Sequence, residues 1–289
     1  MNQSLFQRHS RNFEQNRFVY PVISRRSGGV SIGVNLNPDK VCNFDCIYCQ
    51  VDRTRQSETR FVEMDALLQE LQGVLELVMS GELYDVDSFA ETPTALRRLN
   101  DIAFSGDGEP TTFRNFDELI QACADVRREV GATEAKMVLI TNASMFHRPH
   151  VQKGLEILDH NRGEIWAKLD AGTEAYFQQV DRSKFSLQHV MDNLILAARV
   201  RPIVIQSLFM RIQGQPPENS ELQAYCDRLN EIVDAGGEIK LVQIYSVARQ
   251  PAESFVTPLM NEEVDRWVEE VQRQTQLEVA GFYGVSQSN

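Results

Sequence analysis

The chain has 289 residues, 42% of them hydrophobic and 24% charged, with 29 Lys and Arg against 41 Asp and Glu for a net charge of −12. That is the composition of a globular protein with a sizeable core, and the length is ordinary for an α/β barrel built as one unit. An acidic balance argues against a general nucleic-acid binder, whose surface is basic.

Residues 1–21 read as an N-terminal arm. They begin MNQSLFQRHSRNFEQNRF, with no continuous apolar run, so no signal peptide is expected. Within residues 1–30, Arg8, Arg11, Arg17, Arg25 and Arg26 stand against Glu14 alone. That surplus fits an arm that contacts RNA or phosphate, and it fits a solvated terminus equally. No stretch of the chain approaches the ~20 apolar residues of a membrane span. No membrane contact is expected, and the compartment is read as the cytoplasm, where clustered cysteines read as metal ligands or catalytic groups.

From residue 22 to 250 strands and helices alternate. VSIGVNL (30–36) is rich in β-branched residues and leads as a strand into VCNFDCIYCQ (41–50). MDALLQELQGVLELVMSG (64–81) carries apolar residues at helical spacing and closes on glycine, and the polar stretch 84–98 reads as an insertion. DIAFSG, KMVLITN, EIWAKLD, IVIQSLFMR and EIKLVQIYSV read as short buried strands. Amphipathic helices are expected over 116–131, from Pro149 towards His160, over TEAYFQQV and LQHVMDNLILAARV, and over 221–237. Residues 251–289 add a helix and a strand as an extension packed on that core. Near-continuously apolar strands alternating with helices argue for a parallel sheet covered by helices. In such sheets the chemistry gathers where strands end, and the unusual residues of this chain fall there.

Cys42, Cys46 and Cys49 follow the first strand as C-x3-C-x2-C. Thiolates are the soft ligands that select zinc or iron–sulfur clusters. A structural cluster takes four cysteines, so three leave one position open for another molecule. A zinc site with a remote fourth ligand stays open as an alternative. Cys123 and Cys226 sit inside amphipathic helices and read as core residues. Gly106, Asp107, Gly108, Glu109 and Pro110 form a turn after the second strand, where glycines permit close backbone approach. Asn142 ends the third strand and reads as a polar contact or a plain turn residue. Lys168 and Asp170 project to one side of the fourth strand, as a buried ion pair or as a grip on a ligand. Arg211, Gln213, Gln215, Tyr245 and Arg249 also follow strands.

The cysteine loop, with Tyr48 before its third thiol, resembles that of radical S-adenosylmethionine (SAM) enzymes. The resemblance covers roughly residues 22–250. It implies a partial (β/α)6-type TIM-like barrel and a [4Fe–4S] cluster on Cys42, Cys46 and Cys49. Its open iron would bind SAM, whose reductive cleavage gives a 5′-deoxyadenosyl radical for hydrogen abstraction. The glycine turn resembles the family's GGEP motif, with Asp107 in place of the second glycine. It implies SAM contacts from Gly106 to Pro110, as the matching positions imply for Tyr48, Asn142 and Asp170, with Lys168 and Asp170 as catalytic candidates. A flavodoxin or ferredoxin would supply the electron.

The wording PVISRRSGGVSIGVNLNPDKVCNFDCIYCQ, IAFSGDGEPT and WAKLDAGTEAYFQQVDR is similar to the bacterial relatives of the tRNA wyosine-synthesising branch, whose known members condense pyruvate-derived carbons onto a methylated guanosine. This chain lacks the extra cysteines on which those enzymes carry a second cluster. Residues 1–60 hold nine Lys and Arg against five Asp and Glu, so a tRNA would dock on the N-terminal side. The substrate is thus read as RNA, with a peptide or small metabolite as the alternative. A non-catalytic iron–sulfur or zinc binding protein is the reading from another class.

Overall fold

Leu67, Leu71, Val74, Leu75 and Val78 recur at helical spacing and are the buried face of α1 (Met64–Ser80), which ends at Gly81 in the left-handed region, φ 86°. The computed structural model describes residues 15–24, 26–55 and 57–284. Arg8, Arg11 and Arg25 of the expected basic arm lie outside the described residues.

The chain divides into two compact units. The first takes in residues 1–42, 55–140 and 148–164, and the second residues 43–54, 141–147 and 165–289. In the first, β1 (Val19–Ser24) pairs antiparallel with β2 (Gly29–Val34), and β2, β3 (Leu99–Phe104) and β4 (Lys136–Thr141) are parallel neighbours. The α2 helix (Phe116–Glu129) follows β3, and α3 (Pro149–Asp159) follows β4. Gly154 of α3 lies against the Phe116 ring, in space a Cβ would occupy.

The strand β1 is a difference from the sequence reading, which left residues up to 21 as an arm. Pro21 masks it in the sequence, yet β1 is an edge strand, where a missing N–H is tolerated. Its start is fastened by Glu70 of α1, whose carboxylate accepts the N–H groups of Arg17, Phe18 and Val19 at 3.0, 2.8 and 3.0 Å. The Arg17 guanidinium pairs with Glu63 at 2.7 Å.

In the second unit, β5 (Gly163–Lys168, begun in the first), β6 (Ile203–Leu208), β8 (Ile239–Tyr245) and β10 (Val279–Phe282) are parallel neighbours. Between them run α4 (Glu174–Asp181), α5 (Leu187–Ala198), α6 (Asn219–Asp234) and α7 (Asn261–Thr275). A two-stranded ribbon of β7 (Met210–Ile212) and β9 (Val256–Pro258) was not foreseen, since three-residue strands carry no periodic signal. Phe209, Tyr225 of α6 and Trp267 of α7 form an aromatic core, with the Phe209 and Trp267 rings 3.8 Å apart.

The strand order is β1-β2-β3-β4-β5-β6-β8-β10. Strands in sequence order, joined through helices, have the winding of a TIM-like (β/α) barrel with fewer than eight units, whereas a doubly wound sheet reverses its order midway. The fold class is the expected one: α/β, of the partial (β/α)-barrel type. Among the described residues no helix is long and apolar enough to cross a membrane.

Candidate active site

The loop after β3 lies in the first unit. Asn35 and Asn37, two residues apart after β2, shape it. The Asn35 side-chain oxygen accepts the N–H groups of Asp107 and Asn37, each at 3.1 Å, and its amide donates to the Asp107 carboxylate at 2.8 Å. Asp107 therefore closes the turn through its own side chain, which accounts for an acidic residue where the resembling motif has glycine. The flanking glycines are required by space. A Cβ on Gly106 would collide with Asn35, and one on Gly108 with the carbonyl oxygen of Val41, the residue before Cys42. Glu109 is buried, and its carboxylate accepts the N–H of Thr111 at 3.1 Å and the Thr111 hydroxyl. Pro110 opens a short 3-10 turn, Pro110–Thr112, that carries the chain away.

The second unit holds the greater part of the cysteine loop. Ile47 and Tyr48 join Val180, Leu208, Met210, Val247 and Val256 in an apolar cluster, while Phe44 packs edge-on against Phe177 with centroids 5.7 Å apart. The three cysteines are half-buried and free of disulfides. Apolar residues thus pin the loop, with Cys46 packed against the same cluster. The Ala252 N–H donates to the Cys49 carbonyl at 3.0 Å.

Around Tyr48 lies a buried ionic cluster. Its hydroxyl donates to Asp170 at 2.5 Å and stands 3.4 Å from Asp181. The Lys168 ammonium is 3.0 Å from the Asp170 carboxylate, donates to the Tyr245 hydroxyl at 3.0 Å and sits 4.7 Å from the centre of the Tyr48 ring. The other Asp170 oxygen accepts the Leu208 N–H at 2.7 Å.

The turn after β5 sets these positions. Gly172 passes so close to the Tyr225 backbone that no side chain fits, and Thr173 caps α4 by accepting the Tyr176 N–H at 3.2 Å. Buried Glu221 of α6 accepts from the Gly172 N–H and, at 2.6 Å, from the Thr173 hydroxyl.

Burial and two neighbouring carboxylates skew the titration of this cluster. Burial, then Asp170, push Asp181 up to about 8. Burial, then Asp181, push the Cys46 thiol well above its ordinary range, and burial and Asp170 do the same to Tyr48. Burial works against the Lys168 charge, but Asp170 and Tyr245 outweigh it, and the ammonium is held above its ordinary value.

Asn142 is committed to a turn. Its oxygen accepts the Ser144 N–H at 3.1 Å and hydroxyl at 2.6 Å, and its amide donates to Asn43 of the cysteine loop at 2.8 Å. Between them Ala143 takes φ 60°, with its carbonyl held by Asn193 of α5 at 2.8 Å. Arg211 is bound bidentately by Glu263, at 2.6 and 3.1 Å, as a brace between β7 and α7. Cys123 and Cys226 are fully buried, as expected. Sequence reasoning missed Asn35, Asn37, Asp181, Glu221 and Asn193. The pair NLN just before the cysteines carried a usable signal for the first two, and the others had none.

Among the described residues no three His, Cys, Asp or Glu side chains stand in a metal-holding arrangement. As a donor set, three thiols outside any disulfide suit a soft metal centre. Two orphaned buried groups of the second unit, the Tyr176 hydroxyl and the Gln206 amide oxygen, have no hydrogen-bond partner.

The fold is that of a partial (β/α) barrel with a cysteine-containing loop after its first parallel strand. No family model matches the chain. A UPF0026 protein of Helicobacter pylori is 25% identical over 236 residues, covering 80% of this chain and 68% of that one. A protein named GTPase Obg from Brachyspira hyodysenteriae is 26% identical over 189 residues, 64% of this chain but only 24% of its own length. The present chain has no G-x4-G-K-[S/T] phosphate loop. A solved structure of TYW1 with a lysine–pyruvate adduct bound covers 86% of this chain and 74% of that one, with TM-score 0.50 and 13% identity, a likeness of fold alone.

Proposed function

We propose that this protein is a radical SAM enzyme, with Cys42, Cys46 and Cys49 as the ligands of a [4Fe–4S] cluster and RNA as its substrate. When bound, the cluster and SAM would supply an electron and a 5′-deoxyadenosyl radical for hydrogen abstraction. The observation that carries the reading is the build of the cysteine loop. Its apolar residues are locked into the core with the cysteine residues half-buried between them, and its tyrosine is tied to Asp170 at the end of the strand that also supplies Lys168.

The chain's own groups then have definite tasks. Cys42, Cys46 and Cys49 ligate as thiolates. The turn from Gly106 to Pro110 offers backbone at close range because two Cβ atoms are missing, and Glu109 stiffens it. Lys168 acts as a fixed cation, paired with Asp170, that orients an anionic group. Likeness to the wyosine-synthesising branch supports RNA as substrate, and a flavodoxin- or ferredoxin-type donor supports the reduction.

The test is anaerobic. Iron and sulfide are reconstituted, reductant and SAM are added, and 5′-deoxyadenosine is assayed with and without bulk tRNA. Formation that vanishes in Cys46→Ala and rises with tRNA is expected. A cluster-loaded protein stimulated by peptides or metabolites but not by tRNA would remove RNA. A protein that never cleaves SAM would leave a non-catalytic metal protein.

A further inference from the structure

The turn after β4 and the cysteine loop are joined by a closed ring of side-chain hydrogen bonds that the proposed function does not use. The Asn43 amide donates to the Ser144 hydroxyl oxygen at 2.7 Å, that hydroxyl donates to the Asn142 oxygen at 2.6 Å, and the Asn142 amide donates back to the Asn43 oxygen at 2.8 Å. Each member gives and accepts in one direction around the ring, so the bonds polarise one another. Phe44 and Ile47 further along the loop are held by packing, whereas Asn43, the residue after Cys42, is held through polar groups.

The ring depends on the shape of the turn. Ala143, fully buried between two ring members, takes φ 60°, a left-handed conformation that is costly for any residue with a Cβ. Thr141 secures the entry, its hydroxyl oxygen accepting the Ala143 N–H at 3.0 Å. The exit is secured by α5. The Asn193 amide donates to the Ala143 carbonyl at 2.8 Å, and His189 Nε2, one turn earlier on the same helix face, donates to the Ser144 carbonyl at 2.8 Å. Asn193, at 3% exposure, is the polar exception among the buried residues of α5, which are otherwise Leu187, Val190, Met191, Leu194, Ala197 and Ala198. A buried amide on such a face is costly unless a partner requires it, and the partner here is the strained residue.

We infer that Asn193 is a positioning residue for the metal-binding loop: by holding the Ala143 carbonyl it keeps the turn in the left-handed form from which Asn142 and Ser144 latch Asn43. This role rests on the proposed iron–sulfur site. The ring is made of two amides and a hydroxyl, none of them ionisable, so it is the same whether the thiols of the loop are protonated or ligate a metal. It orders the loop before the metal arrives, and loss of such support outside the ligand set weakens metal binding by about 10–100-fold without removing a ligand.

The test uses the full chain, reconstituted anaerobically, with cluster lifetime under a chelator challenge and the electron paramagnetic resonance spectrum of the reduced protein as readouts. Asn193→Leu keeps the volume without the donor, and is expected to lose iron about 10-fold faster, with altered g-values. Ser144→Ala opens the ring directly and is expected to do the same. In the Ser144→Ala background Asn193→Leu should then add nothing, since residues acting through one route are not additive. Ala143→Gly removes the strain that Asn193 offsets, and in that background Asn193→Leu should shorten the lifetime much less. Circular dichroism and thermal melting confirm folding, and Asn193→Ala takes the place of the leucine variant if that one does not fold. A folded Asn193 variant with wild-type lifetime and spectrum overturns the positioning role and leaves the proposed function standing. Losses that add in full in the double variant overturn the route through the ring. A wild-type chain that takes up no cluster overturns the proposed function itself, and this role with it.

Discussion

The loop Gly106–Pro110 in the first unit is shaped by what it lacks. Two absent Cβ atoms let the chain lie against Asn35 and Val41, and a few short hydrogen bonds between neighbouring segments hold it. The cluster of Lys168, Asp170, Tyr48, Asp181 and Tyr245 in the second unit is shaped by what it contains, charges and hydroxyls drawn from four segments and largely withdrawn from solvent. A turn of the first kind gives way only as far as the neighbouring backbone and side chains can shift. A buried ionic cluster has no solvent to fall back on, so each member answers for the others.

The largest stability effect is accordingly expected at Lys168. Lys168→Met leaves Asp170 buried without its cation and should cost about 3–5 kcal/mol in urea or guanidinium unfolding. Lys168→Met combined with Asp170→Leu should recover part of that loss, since two apolar side chains leave no charge unpaired. If the single variant unfolds at the wild-type midpoint, the cluster is not held together by this pair.

The next effect belongs to the glycine loop. Gly108→Ala places a methyl against the Val41 carbonyl and should cost about 1–3 kcal/mol, read as a lowered unfolding midpoint. Asp107→Gly, which restores the glycine of the resembling motif, removes the reciprocal bond with Asn35. Its expected cost is about 0.5–1.5 kcal/mol, and a gain in stability would show that Asp107 does not close the turn. The smallest effect is expected at Glu63, whose pair with Arg17 is exposed to water and salt. Glu63→Gln should leave the thermal midpoint unchanged at physiological ionic strength.

The same contrast explains what could be read in the amino-acid sequence. The alternation of apolar strands with helices gave the fold class, because buried parallel strands must be apolar along their length. The cysteine loop and the glycine turn were visible as well, since residue type and spacing within ten positions define them. Lys168 and Asp170 could be placed on one side of a strand, but not their partners. Asp181 lies 135 positions from Cys46, and nothing in its local wording VDRSK marks it. Glu221 looks like any acidic residue in the first turn of a helix, though it fastens the turn after β5. Strand β1 was hidden by Pro21 and by a partner strand whose pairing depends on tertiary contact. Of the expected basic arm, Arg17 is occupied by Glu63, and Arg8, Arg11 and Arg25 lie outside the described residues.

The most direct test is the metal content of the anaerobically purified chain. Iron and acid-labile sulfide of about four each per chain, lost when Cys42, Cys46 and Cys49 are replaced together by alanine, is the expected result. Stoichiometric zinc without sulfide, held by the same three cysteines, would contradict it.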